Sequence, residues 1–462
     1  MADRGIMVEL RIDTQRIAEL APLNLGTVLA GPGSCAAIVA PITGRFHAAA
    51  VEAQVRIAQL TGTQLPIVDE QDAEKARIRF EHLIAIGHIA NNRLLQRLHD
   101  IRCLSADDYP GDGFRLLSLH SPFGDGRNVI VASGANPETV ARGLEKLPGY
   151  MTERDGNWGL EERVFDADPI PETPDCEQFL ADNVKGDASS YHGRPGAVLT
   201  ALKHAKQTGH EAWGRAFMEL VTPYATGAIP LSFWLMSAVD FWTDSLVVDW
   251  DRVEEFPWFA DEERLLVANF IASCTEYCHD SITYQKWRIT EQEHMVFNHH
   301  TFPARSLYFG CMYLRRHGYE MADLDGWLAK AKRVFARAAE GGRSFDEGGA
   351  GYSWLVASHL LDVSFAEGDT SYAQSEKMAR YADLATIIQN NHAELVPFGD
   401  CGAYHSSGGN AGTVLLRAAE WHQDAGFKWV AERCAPEAAA RDLLTCGLTA
   451  LAPARHVGLF VL

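Results

Sequence analysis

The stretch "NVIVASGANPETVARGLEKL", residues 128–147, decides the fold of the first third of the chain. It begins with an apolar run that predicts a buried strand and continues through a Gly-Ala-Asn turn. Pro137 then stands close to the start of a helical pattern. Similar apolar runs at 35–41, 64–70 and 82–87 predict three more buried strands. The pattern therefore predicts a strand that feeds directly into a helix, within a sheet of at least four strands.

Helical patterns at 47–62 and 89–100 separate these strands. Alternation of strands and helices is typical of an α/β domain with a mostly parallel sheet, which we expect over residues 1–150. The sequence has no GxGxxG motif and no P-loop, so nothing in it indicates nucleotide binding. Residues 151–189 are rich in Pro, Asp and Glu, which predicts an extended linker.

From residue 190 onward helical patterns follow one another without strands, and short Gly- or Pro-marked breaks separate them. The predicted helices cover 195–208, 211–222, 228–243, 261–282, 302–317, 323–340, 351–366, 370–392, 410–424 and 427–449. Successive antiparallel helical hairpins can curl into an incomplete α/α toroid, which we expect over 190–452. After Pro453 an apolar, strand-like run begins, and we interpret 453–462 as the start of a possible C-terminal β-domain. The predicted fold class is therefore multidomain and mainly α.

Composition limits the classes of partner. The formal net charge of −20 argues against nucleic acid and against an anionic membrane. No apolar run is long enough to cross a bilayer, and the first twenty residues do not resemble a secretory signal. We therefore expect a cytoplasmic protein, or else a periplasmic or secreted one whose signal has been removed. The nine cysteines suit reduced thiols, and Cys274 and Cys278 are expected on one buried helix face.

Three polar stretches in the helical region can carry chemistry. The first is Asn298-His299-His300, directly ahead of an amphipathic helix. The second, "GGRSFDEGGAGYSW" (341–354), is a glycine-rich loop that leads Tyr352 into a new helix. The third, "VPFGDCGAYHSSGG" (396–409), is another glycine-rich loop and contains Tyr404 and His405.

The order of these motifs resembles the heparinase II/III-like and alginate lyase superfamily. An Asn-His pair is followed by an amphipathic helix pair, then by S-F-D-E-G-G-x-G-Y and finally by P-F-G-D, and the likeness covers about 190–462. Members of that superfamily join an α/α toroid to a C-terminal β-sandwich and cleave uronic-acid polysaccharides by β-elimination. The resemblance thus implies a carbon–oxygen lyase that acts on a uronate-containing polysaccharide or oligosaccharide.

Elimination from a uronate demands a specific set of groups. Donors must offset the negative charge that builds on the sugar carboxylate when the adjacent proton is removed. A base must remove that proton, and an acid must protonate the leaving oxygen. By the resemblance, Asn298 holds the carboxylate, and His299 assists it or acts as base. Tyr352 is the general acid, or base and acid in turn, while His405 or Tyr404 is a further candidate. The family's additional histidine comes from the β-domain.

Substrate binding is expected from several flanking residues. Aromatic residues gather between 234 and 287, and Trp287 stands between Lys286 and Arg288, so that an aromatic face and cationic groups could hold a sugar acid. A sugar acid requires a locally positive site even though the protein carries a net charge of −20, and these cationic residues supply that local charge. The remaining expected binding residues are His300, Arg305, Arg343 and Glu347, the last of which shapes its glycine-rich loop. No cofactor and no metal is expected.

Other interpretations remain open. Asn298 is a favourable N-cap residue for a helix that enters at 302, and either histidine alone can be a structural residue. A toroid glycoside hydrolase would use Glu347 or Asp346 with a distant carboxylate such as Asp400, Glu291 or Glu293. A non-catalytic glycan-binding protein is the third possibility. The product separates them, because only a lyase leaves a sugar with a double bond conjugated to its carboxylate.

Overall fold

The structure, a computed structural model, describes residues 10–32, 36–105, 113–169, 173–184, 194–229, 233–286, 296, 298–341, 351–389, 394–396, 409–442, 444–445 and 447–451. The described chain begins with a sheet region and is otherwise mainly helical. The predicted order of an α/β part followed by helices is therefore confirmed. The interpretation of 453–462 as the start of a β-domain lies outside the described residues.

The sheet region is a three-layer arrangement. Its strands are β1 (Thr27–Ala30), β2 (Ala36–Ala40), β3 (Ile67–Asp69), β4 (His82–Gly87), β5 (Phe114–Leu119), β6 (Val129–Gly134), β7 (Thr152–Arg154), β8 (Asn157–Leu160) and β9 (Phe165–Ala167). Six of them form one sheet in the order β3-β2-β4-β6-β5-β9, in which the first four are parallel. Helices cover both faces, as continuous apolar strands require. The four predicted strands are all present.

The expected linker over 151–189 is wrong at its beginning. Residues 152–167 contain three strands: β9 extends the large sheet beside β5, and β8 lies between β1 and β7 in a small antiparallel sheet. The large sheet is mostly parallel, as predicted, and β5 near its β9 edge runs antiparallel to both β6 and β9. These strands are only three or four residues long and mostly half-buried or exposed. They lack the apolar run by which the other strands are recognised.

The helices of the chain are α1 (Gly44–Thr61), α2 (Ala73–Arg79), α3 (Arg93–Asp100), α4 (Pro137–Tyr150), α5 (Cys176–Val184), α6 (Arg194–Thr208), α7 (Glu211–Ala225), α8 (Phe233–Val253), α9 (Asp261–Asp280), α10 (Asn298–Arg316), α11 (Leu324–Gly341), α12 (Ser353–Glu367), α13 (Glu376–Ile388), α14 (Gly409–His422), α15 (Ala425–Cys434) and α16 (Pro436–Arg441). The prediction for 228–243 stops too early, because α8 continues to Val253. The prediction for 427–449 joins two helices that separate at Pro436, which lacks the N–H that a continuous helix requires.

The helices enclose two apolar cores. One core joins α6 to α11, and the other joins α12 to α15. Helix α10 lies at the centre and contacts α8, α9, α11 and α12. Gly310 permits its close approach to α9, because a β-carbon at that position would overlap the Thr275 side chain. Cys274 and Cys278 are buried on one face of α9, as predicted, and burial raises the pKa of the Cys274 thiol to about 12.

The first described residues lie against the helical region before the chain enters the sheet. The main-chain N–H of Ile17 donates to the side chain of Asn269 (2.7 Å), and that of Asp13 donates to Ser273 (3.1 Å). Arg16 pairs with Glu276 of the same helix, α9. None of the described helices combines the length and apolar character that a bilayer span requires.

Candidate active site

The Asn298-His299-His300 tripeptide forms the first turn of α10, so the helix begins one turn earlier than the predicted position 302. Asn298 and His300 are buried, at 5% and 4% exposure, whereas His299 is exposed. Consecutive residues of a helix point about 100° apart, which separates their environments. Of the three residues, His299 is therefore the one that reaches solvent, whereas Asn298 is buried in the same turn.

A short hydrogen-bond chain ties this turn to α12. The Thr301 hydroxyl donates to the main-chain carbonyl of Asn298 (3.1 Å), and His359 Nδ1 lies 2.9 Å from the same hydroxyl. Because the single hydroxyl proton is used, His359 must donate from Nδ1. Burial, reinforced by Arg305 and Arg102, holds the pKa of His359 well below its usual value, so the ring is neutral.

Helices α10 and α12 run parallel in a fixed register. Three contacts along the pair, Thr301 with His359, Arg305 with Asp362 and Tyr308 with Glu367, advance in the same direction along both helices. Their offset of about 58 positions places Tyr352 one turn before the level of Asn298. That is an axial separation of roughly 6 Å between neighbouring helices. The structure thus brings Asn298, His299 and Tyr352 to the same end of one helix pair, and Tyr352 is half-buried there.

Arg305 does not stand open to a substrate. Its guanidinium contacts Asp244 of α8 (2.9 Å) and Asp362 of α12 (3.0 Å), and its side chain is 14% exposed. Asp244 is fully buried and also pairs with Arg102 of the sheet region (2.7 Å). Burial opposes ionisation of Asp244, but Arg305 and Arg102 outweigh it and lower the pKa of the carboxyl. Arg305 therefore holds three helices in register, a role different from the predicted one.

Aromatic rings surround the start of α10. The ring of Phe241 lies 5.5 Å from that of His299 and 4.3 Å from that of Phe302, which in turn meets His359 edge-on at 4.4 Å. The packing of Phe241 and Phe302 restricts the orientation of the His299 imidazole beside an apolar surface. Two tryptophans of the region, Trp242 and Trp250, are core residues instead.

Six predicted site residues lie outside the described residues: Trp287, Arg288, Arg343, Glu347, Tyr404 and His405. The same holds for Asp346, Asp400, Glu291 and Glu293, on which the hydrolase interpretation depends. Both sets stay predictions. Of the residues predicted to bind or react, the structure places Asn298, His299, His300, Arg305 and Tyr352.

Three residues that organise the site, His359, Asp244 and Arg102, were not predicted from the sequence. His359 follows Tyr352 by seven residues, two helical turns, and therefore shares its face of the helix. That spacing is a signal that could have pointed to it. Asp244 and its partner Arg102 have no such signal, because they are distant in sequence. Arg102 has a φ of 61°, a left-handed backbone that is uncommon for a residue with a side chain.

Another charged cluster lies where the sheet region meets α8 and α10. Donor atoms of Asp251, Glu254 and His317 all lie within 4.8 Å of one another, and such donors can bind a metal. Arg316, however, already pairs with Asp251, and the Tyr313 hydroxyl donates to Glu254 (3.2 Å). The carboxylates are therefore partnered within an ion-pair network, and we assign the cluster a structural role.

Comparison with known proteins adds no further constraint, since no family model, no curated protein and no solved structure matches this chain.

Proposed function

We propose that the protein is a polysaccharide lyase that cleaves a uronate-containing glycan by β-elimination, on an incomplete α/α toroid of helical hairpins. The observation that carries the proposal is the parallel register of α10 and α12. It brings an amide, an exposed imidazole and a phenol to one end of a helix pair. These are the groups that abstraction of a proton beside a carboxylate requires.

In the proposed reaction each group has a defined role. The Asn298 amide donates to the sugar carboxylate and offsets the negative charge that builds up as the C5 proton leaves. His299, which is exposed, removes the C5 proton from one sugar epimer; for the other epimer His299 assists the carboxylate, and Tyr352 removes the proton and then returns it to the leaving oxygen. Tyr352 protonates the departing glycosidic oxygen as general acid. The bond between C4 and this oxygen breaks as the C4–C5 double bond forms.

The rigid surroundings of these groups support the proposal. The main chain of Asn298 is held by Thr301 and His359, and His359 belongs to the helix that begins after Tyr352. Arg305 connects the same two helices through Asp362 one turn further along. A site whose reacting groups are fixed by neighbouring hydrogen bonds needs little reorganisation during reaction.

The test is an assay on a panel of uronate-containing polysaccharides. Ultraviolet absorbance reports the conjugated double bond, and reducing ends are measured in parallel. We expect both signals to grow together on at least one polymer. Tyr352→Phe should lower kcat by about 100-fold or more, the usual contribution of a general acid. Tyr150→Phe removes a phenol from the sheet region and serves as the matched control.

Two outcomes contradict the proposal. Growth of reducing ends without absorbance would identify a hydrolase. Undiminished absorbance growth in Tyr352→Phe would remove Tyr352 from its assigned role.

A further inference from the structure

A cavity of about 200 Å³ lies between the sheet region and the helices, far from the proposed active site. It is bounded by the end of α3, by the connection between β5 and β6, and by the C-terminal halves of α8 and α10. Phe309 on its wall stands eleven residues after Asn298 on α10, roughly 16 Å along the helix. The cavity is therefore a separate site.

Its lining combines arginine side chains with apolar surface. Four arginines line it, Arg97, Arg102, Arg315 and Arg316, against a single acidic residue, Asp251. In a protein of net charge −20, such a local excess of cations is unusual. The apolar part of the wall comes from both sides of the junction and includes Phe123, Val247, Phe309 and Met312.

Two of the arginines are able to accept an anion. Arg97 donates to the main-chain carbonyls of Phe365 (2.6 Å) and Ala366 (2.8 Å), and within the described residues no carboxylate pairs with it. A guanidinium has five N–H donors, so these two bonds leave donors over. Arg315 pairs with Asp325, whose side chain is 92% exposed. An exposed ion pair of this kind contributes little to stability, so another anion can readily replace Asp325 as the partner of Arg315.

The other two arginines are committed to protein carboxylates. Arg102 pairs with buried Asp244 and lies over the Phe309 ring, at 4.9 Å from its centroid. Arg316 pairs with Asp251. They shape the wall of the cavity, whereas Arg97 and Arg315 supply the donors for a ligand.

We infer that this cavity binds a small organic carboxylate with an apolar body, a single ring or a short alkyl chain. Its volume exceeds the roughly 150 Å³ of an apolar protein cavity that holds benzene, so one ring with a carboxylate fits. Apolar walls with a few convergent donors are the usual design of small-molecule sites, and a carboxylate is the group that guanidinium recognises best. The ligand contacts both the sheet region and the helical region, so its binding strengthens their junction.

Isothermal titration calorimetry tests this with benzoate and hexanoate, and with benzamide and hexanamide as neutral counterparts. We expect one carboxylate to bind per chain, at least about tenfold more tightly than its amide, as charged hydrogen bonds provide. The Arg97→Gln/Arg315→Gln double variant should abolish that difference between acid and amide. Met312→Trp should abolish binding altogether, because the larger side chain fills the cavity.

The variants are chosen so that folding does not obscure the result. Met312 is 36% exposed, so a larger side chain is tolerated there, and Ile387→Trp places the same side chain at another exposed helical position as a control. Equal binding of acids and amides, binding that survives Met312→Trp, or no binding of either acid to the unaltered protein would each overturn the inference.

Discussion

His359 Nδ1 lies 2.9 Å from the hydroxyl of Thr301, and through it the helix that follows Tyr352 is joined to the main chain of Asn298. Both partners are buried, at 1% and 0% exposure. A buried chain of hydrogen bonds specifies a single arrangement only while every donor and acceptor in it has a partner. The Thr301 hydroxyl is therefore the contact between the two helices that lies nearest to the proposed reacting residues, beside Arg305–Asp362 and Tyr308–Glu367 further along.

Thr301→Val removes that hydroxyl and keeps the shape of the side chain. It leaves the His359 N–H and the Asn298 carbonyl without this partner, so we expect the free energy of unfolding to fall by about 1–3 kcal/mol. If the proposed reaction is correct, kcat falls more than KM rises, because the reacting groups lose their alignment. Urea denaturation and steady-state kinetics measure the two effects. Thr301→Ser keeps the hydroxyl and should restore both, and failure to do so would contradict this account.

Asp244→Asn tests the buried ion-pair chain that joins the sheet region to α8 and α10. The amide cannot neutralise Arg102 and Arg305, so two guanidinium groups are left with too little negative charge. Breaking a buried pair in this way costs about 3–5 kcal/mol of unfolding free energy, measured by chemical denaturation. The exposed counterpart Asp325→Asn should cost no more than about 1 kcal/mol. Similar losses of unfolding free energy in the two variants would show that the buried ion pairs stabilise the protein no more than the exposed pair does.

Gly310→Ala tests the close approach of α9 and α10. A methyl group at position 310 would overlap the Thr275 side chain, so the helices must separate or repack. We expect a loss of about 1–3 kcal/mol of unfolding free energy, larger than the gain in helix propensity. Gly149→Ala, where nothing lies within 4 Å, is the control and should be neutral or stabilising. An unchanged unfolding midpoint in Gly310→Ala would mean that the two helices pack less closely than described.

His120 predicts a pH dependence of stability. Burial, with Arg316 and His317 nearby, lowers the pKa of His120 to about 4, whereas the unfolded chain has a value near 6.5. Between these values the unfolded state binds a proton that the folded state does not. The stabilising contribution is therefore complete above about pH 6.5 and is lost as the pH falls towards 4, by about 3 kcal/mol.

The measurement is urea denaturation at several pH values between 4 and 7. His120→Gln keeps an acceptor for the Asn24 N–H, which now donates to His120 Nε2 at 3.1 Å, but it cannot titrate. This variant should lose markedly less stability than the unaltered protein over that range. The exposed His210→Gln should follow the unaltered protein, and parallel curves for all three would exclude His120 as the source.

Sequence patterns predicted the elements whose side chains alternate between water and core, or lie entirely in the core. The four parallel strands are recognisable because both of their faces are buried, and the helices because their apolar residues recur with helical spacing. The short strand β9 has no such pattern, since its place depends on β5, about 50 residues earlier in the sequence. Strand β7 also lacks an apolar run, but Asp155-Gly156, at the turn into β8, is a local hairpin signal that the sequence contains.

The proposed site divides in the same way. Asn298, His299 and Tyr352 stand in motifs that can be read along the chain, and it is the resemblance carried by these motifs that implies their approach. The role of Arg305 could not be predicted, because both of its partners, Asp244 and Asp362, are about 60 residues away. A cation near a motif is equally able to bind a substrate or a buried carboxylate, and only the fold decides between them.

The contacts between residues 13–17 and α9 have a consequence for synthesis of the protein. The main chain at Ile17 bonds to a side chain 252 residues later in sequence, so all of that intervening chain must be synthesised before the bond can form. At translation speeds of about 5–20 residues per second this leaves the leading segment without its partner for roughly ten seconds or longer. During that interval it is available to chaperones, and its docking on α9 is a late event in maturation of the chain.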